Sequence, residues 1–198
     1  MILGILQKIN IGRVDFPPYG GGSGMVISAA PLSRAIDYSI EKLKQTSDND
    51  IEVIYLSPRG KVLNYNLCNK LSLSEKNYII ICGHYEGIDE RIIEEYNVTE
   101  ISIGDYVLTG GELASQVLLD SVIRLIPGAL SEGSLNEESH TNKLLEYPQY
   151  TKPSNFRGRL VPEILLSGHH KKINEYRNEE AIRITKKYRP DLLENGQN

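Results

Sequence analysis

Tryptophan is absent from this chain, and cysteine, methionine and phenylalanine occur only twice each. Cys68 and Cys82 form no Cys-x-x-Cys pair, and the four histidines (His84, His140, His169, His170) stand at no metal-ligand spacing with them. Neither a disulfide framework nor a zinc site is therefore suggested, and a reduced cytoplasmic compartment is the expectation. No apolar run approaches the length of a membrane span. Met1 to Leu6 is too short for a secretory signal and lacks a cleavage site. No internal repeat is present.

A chain of 198 residues with 40% apolar side chains makes one large domain or two small ones with an ordinary core. The formal charge of −4 argues against a nucleic-acid partner, but it is an average over unlike parts. From Asn142 onward eleven Lys or Arg stand against seven Asp or Glu, a net of +4, and the rest of the chain carries −8. A basic tail on an acidic body can attract phosphates locally, although a solvated helix face has the same composition.

Strand and helix patterns alternate along the first part of the chain. Helices are expected over Pro31–Lys44, where Leu32, Ile36, Ile40 and Leu43 recur at three- and four-residue spacing, and over 63–71, 88–96 and 112–126. Apolar strands are expected over Ile51–Leu56, stopped by Pro58 and Gly60, over Tyr78–Cys82 and over Glu100–Ile103. Such alternation indicates an α/β fold with a parallel sheet flanked by helices. Ile5, Leu6 and Ile9 fit a short strand or a helix stub. Residues 17–24 form a glycine-rich irregular loop; no Gly-Lys-Ser/Thr follows and no convincing strand precedes, which excludes a Walker or dinucleotide motif.

The body is expected over 1–130. Residues 131–142 have a linker's composition, and 143–198 read as a small helical basic domain. Turns at Pro148, Pro153 and Pro162 precede a long helix from about His169 to Tyr188. Ile173, Tyr176, Ala181 and Ile184 give it one apolar stripe, and Arg177 and Arg183 fall mainly outside it.

Three stretches carry more information than periodicity: Tyr55-Leu56-Ser57-Pro58-Arg59-Gly60, the run from Cys82 to Arg91 (Cys-Gly-His-Tyr-Glu-Gly-Ile-Asp-Glu-Arg), and the run from Glu100 to Ala114 (Glu-Ile-Ser-Ile-Gly-Asp-Tyr-Val-Leu-Thr-Gly-Gly-Glu-Leu-Ala). Each begins at a strand's carboxyl end, where ligands bind in open α/β sheets, and each bends at glycine. Any one alone is an ordinary turn. Together they closely resemble the bacterial tRNA (guanine-N1)-methyltransferases, a branch of the SPOUT methyltransferases, over about Pro18 to Leu193.

That resemblance implies a deep trefoil knot, with the chain near 106–114 passing through an earlier loop, and a homodimer whose partner helps wall the pocket. It implies methyl transfer from S-adenosyl-L-methionine to N1 of guanosine 37, beside the anticodon in the tRNA loop, with a Mg²⁺ requirement. The implied cofactor pocket comprises Tyr55, Leu56 and Pro58, then Gly83 and Glu86, then Ser102, Ile103, Gly104, Tyr106, Leu108, Gly110 and Gly111. Arg124, late in an apolar helix, is implied to face the target base and stabilise charge on O6; an ion pair with Asp120 is its simpler role. The family's linker Asp is matched by Glu138, the expected general base, with Glu137 as the fallback. tRNA contacts are implied at Gly21, Gly22, His84, Ser139, Lys152, His169 and Lys171.

The amino end departs from the pattern: relatives carry more residues before the Tyr-Gly-Gly-Gly loop, which here starts at Tyr19. This keeps two alternatives open, a catalytically impaired knotted RNA-binding protein and a SPOUT methyltransferase acting on another RNA.

Overall fold

The computed structural model describes residues 13–130, 138–140 and 142–194. They fall into two compact units divided between Ala129 and Leu130. The expected stub at Ile5–Ile9, the fallback base Glu137 and most of the expected linker lie outside the described residues.

The first unit is built on a three-stranded parallel sheet. Its central strand β3 (Ile51–Val62) pairs with β4 (Asn77–Ile81) on one side and β5 (Thr99–Ser102) on the other. Val53 to Ser57 are all buried, as a parallel strand covered on both faces must be. Their alternation divides the core. Val53 and Tyr55 pack with Leu32 and Ile36 of α1 (Ala29–Lys44), Ile79 and Ile81 of β4, and Ile92 of α3 (Glu90–Glu95). Ile54 and Leu56 point the other way, against Leu71 of α2 (Tyr65–Ser72), Ile101, and Ala114 and Leu118 of α4 (Gly111–Ile123). Two of these helices are capped by side chains: the Asn64 carboxamide oxygen accepts from the Leu67 N–H, and Asp89 accepts from the Arg91 N–H.

Several expectations need correction. The strand at Ile51 does not stop before Pro58. Ser57 to Gly60 bulge out of register, and pairing with β5 resumes at Lys61↔Ile101 and Val62↔Ser102. A bulge is where a strand tolerates proline, because the residue is released from the ladder. Helix α4 ends at Ile123 instead of Ile126. Tighter turns continue it, with Leu125 N–H donating to Val122 O and Ile126 N–H to Ile123 O, so Arg124 is its half-buried C-cap. A two-residue strand does precede the glycine-rich loop: β1 (Asp15–Phe16) pairs antiparallel with β2 (Val26–Ile27).

The second unit holds an antiparallel hairpin, β6 (Asn155–Phe156) with β7 (Arg159–Leu160), which the proline-rich turns concealed. Short α5 (Glu163–Leu166), long α6 (His170–Tyr188) and α7 (Asp191–Glu194) follow. Ala181 and Thr185 are the buried residues of α6. Arg177, expected outside the stripe, is half-buried, with its guanidinium 4.8 Å from the Tyr147 ring centroid.

Candidate functional site

The three sequence stretches converge at the bulge of β3 and at the carboxyl ends of β4 and β5. They border one cavity of about 230 Å³, and all twelve residues named for a cofactor pocket lie on its wall. Ser57, His84, Tyr85, Thr109 and Ala114 border it as well. Parallel strands deliver their carboxyl ends to one edge, so residues about 50 apart in sequence become neighbours there.

Close backbone approach fixes the walls. The Gly111 N–H donates to Gly83 O at 2.8 Å, tying the third bend to the second. A Cβ on Gly83 would lie 2.7 Å from the Tyr55 ring, and that ring is itself buried. Burial pushes the Tyr55 phenol above its ordinary pKa, so it stays protonated at neutral pH. The third bend is braced internally: Ser102 Oγ accepts from the Gly104 N–H and donates to Gly104 O, and the Tyr106 hydroxyl donates to Ile103 O.

The first bend is held from outside the cavity. Arg59 Nε donates to both oxygens of Glu100 at 2.8 and 3.1 Å, and Arg59 Nη2 to both of Glu90 at 2.9 and 2.7 Å. These two carboxylates hold the guanidinium's pKa above its ordinary value. The pairing was not legible in the sequence, because the partners lie 31 and 41 residues away. The second bend is stitched to β2, with Glu86 N–H donating to Met25 O and Ile27 N–H to Gly87 O.

His84, expected on the RNA side, borders the same cavity. Its Nε2 stands 2.5 Å from Glu112 Oε1, and this hydrogen bond holds the Glu112 carboxyl below the usual range. Gly21 and Gly22 sit in the glycine-rich loop at positive φ. Among the described residues, the cavity wall carries Glu86 but no Lys or Arg. A site of this kind suits a cationic, uncharged-sugar ligand such as a sulfonium nucleoside and disfavours a phosphorylated one.

In the second unit Glu138 borders a cavity of about 200 Å³ with Tyr147, Asn174, Arg177 and Asn178. Ser139 Oγ accepts from the Glu146 N–H at 2.9 Å. Lys152, His169 and Lys171 are exposed, and His169 is the N-cap of α6. Arg124 belongs to the first unit and Glu138 to the second. Among the described residues, no three His, Cys, Asp or Glu side chains gather as a metal site.

Comparison with known proteins gives consistent matches. A family profile described as tRNA (Guanine-1)-methyltransferase TrmD matches residues 8–195. A tRNA (guanine-N(1)-)-methyltransferase of Ruminiclostridium cellulolyticum is 54% identical over 182 residues, covering 91% of this chain and 76% of that protein. Proteins of the same description from Clostridioides difficile (54% over 181 residues; 91% and 77%) and Malacoplasma penetrans (53% over 187 residues; 94% and 79%) are similar to it as well.

Proposed function

This chain belongs to the tRNA (guanine-1)-methyltransferase family, and from that premise we propose how its residues methylate N1 of guanine in tRNA. The methyl donor is S-adenosyl-L-methionine, which when bound supplies a methyl group on a sulfonium centre. The observation that carries the reading is the cavity bordered by all three bends, acidic at Glu86 and, among the described residues, without Lys or Arg.

In this reading the backbone of the bends and the side chains of Tyr55, Leu56 and Pro58 hold the adenosine, and the Glu86 carboxylate complements the cationic end. The base acted on is guanosine 37, which a loop can splay out at low unstacking cost. Glu138 takes the N1 proton. The electron pair left on N1 forms the bond to the methyl carbon as the carbon–sulfur bond breaks and the neutral thioether leaves, and the charge spread to O6 is neutralised by the Arg124 guanidinium. Contacts to the tRNA are assigned to Ser139, Lys152, His169 and Lys171 in the second unit, and separately to Gly21 and Gly22 in the first. A required Mg²⁺ would be held on RNA phosphate oxygens, since the described residues gather no set of three metal ligands.

The cavity is small for a whole ligand of this size, since pockets for such molecules run from about 300 Å³ upward. A second subunit supplies the missing wall. Leu113, Val117 and Ile123 on α4 are exposed, with Gln116 and Asp120 among them, on a helix face that such a partner would cover. We assign the trefoil threading near 106–114 and a cytoplasmic location to the same reading. Neither alternative is favoured, because the relatives named above are described as tRNA guanine-N1 enzymes.

Primer extension tests the reading. After incubation with donor, a tRNA transcript with guanosine 3′ of the anticodon should give a stop there, and one with adenosine should give none. No stop from protein that also binds no donor would leave the impaired RNA-binder as the better account.

A further inference from the structure

The hairpin β6–β7 has no part in the cavity chemistry, yet it is built to show three side chains. Phe156 and Arg159 are direct register partners, so they project from one face of the ribbon. The Arg157 guanidinium lies 5.3 Å from the Phe156 ring centroid, so the ring carries one cation beside it and has a second, Arg159, as its partner across the ribbon. The two-residue turn is fixed: Arg157 and Gly158 both take positive φ, Asn155 Oδ1 accepts from the Gly158 N–H at 2.9 Å, and Val161 N–H donates to Ser154 O. Phe156 keeps 59% of its surface exposed.

Charge on the surrounding chain has one sign. Between Glu146 and Glu163 there is no acidic residue, while Lys152, Arg157 and Arg159 are all present and exposed. A protein partner would be met by apolar surface or by mixed charge. A planar ring flanked by guanidiniums on an acid-free segment suits a nucleic acid instead, with a base stacked on the ring and phosphates on the cations. We propose that the 155–160 hairpin is an RNA-docking element that stacks an unpaired tRNA nucleotide on Phe156 and engages two phosphates through Arg157 and Arg159. This rests on the tRNA reading above and adds to it a contact separate from the cavity and from Glu138.

The test measures binding of full-length tRNA transcript to the intact protein across a salt series. Arg157→Ala/Arg159→Ala should make the slope of log K against log salt shallower by about 1.5, as loss of two phosphate contacts requires. Phe156→Ala should weaken tRNA binding about tenfold or more with an unchanged slope, and Phe156→Tyr should restore it. The melting of the second unit, followed by circular dichroism, should stay at the wild-type value in all three and certify folding, and S-adenosylmethionine affinity should not change. Wild-type tRNA affinity and slope in the double variant and in Phe156→Ala would overturn the proposal. Binding is the readout, so a wild-type protein that binds tRNA without methylating it would count against the functional reading and leave the hairpin's role decided by the same titrations.

Discussion

Gly111 stands so close to Cys82 that a Cβ added to it would lie 2.8 Å from the Cys82 Cα and 2.9 Å from the Gly83 nitrogen. Backbone cannot retreat there without opening the bond from Gly111 N–H to Gly83 O. Gly111→Ala should therefore separate the second and third bends and weaken S-adenosylmethionine binding by roughly a hundredfold, because about 1 Å of misplacement is enough for such a loss. At Gly110 the added Cβ would meet the ends of the Glu112 and His84 side chains, which can swing aside. Calorimetry on both variants should find Gly110→Ala within a few fold of wild type.

Arg59 joins the first bend to α3 and β5 by forked pairs to Glu90 and Glu100. Exposed pairs contribute only about 0.2–1 kcal/mol to stability, so the larger effect of Arg59→Gln should be on loop position. The expected signature is a KM for the donor raised several fold with kcat nearly unchanged. Arg59→Lys should not rescue it, since a point charge cannot fork to two carboxylates. An unchanged donor KM in both variants would rule out this role.

The Glu112 carboxyl is held below the usual range by its hydrogen bond with His84. A carboxylate lowered in the folded state stabilises that state above its unfolded pKa, and the contribution fades as pH falls through the lowered folded value. Urea unfolding from neutral pH down through the carboxylate range should show wild type more stable than Glu112→Gln at the upper end. The two curves should converge in acid, below the ordinary carboxylate pKa. A gap that stayed constant with pH would show that the pair carries no such linkage.

Thr185 is fully buried in the second unit; its Oγ1 accepts from the Leu145 N–H at 2.8 Å and donates to Ala181 O at 2.7 Å. Thr185→Val keeps the shape and strands a buried N–H, at a cost of about 1–3 kcal/mol. The melting of the second unit should shift down, and Thr185→Ser should recover most of the loss. Donor binding by the first unit should not change in either.

Glu138→Ala tests the base. Turnover under single-turnover conditions should fall about a hundredfold to ten-thousandfold, the usual share of general-base catalysis, with donor affinity intact. Near-normal turnover would reject the assignment.

Local chemistry was written in the residues themselves. The apolar, β-branched runs at Ile51 and Asn77 could only be buried strands, and the Leu32–Ile36–Ile40 spacing only a helix with one apolar face. Two of the three glycine-bent stretches marked strand ends, those of β4 and β5, and Ala181 lay on the expected stripe of α6. What depends on partners far along the chain was decided by tertiary structure alone. β3 runs on past Pro58 because Ile101 offers a second register to Lys61, Arg59 is held by carboxylates from two other elements, and His84 turns to Glu112. Thr185 is buried because the Leu145 N–H needs an acceptor. Propensity and periodicity act over one or two turns of chain, while register, ion pairing and the satisfaction of buried polar groups are settled only when distant segments meet.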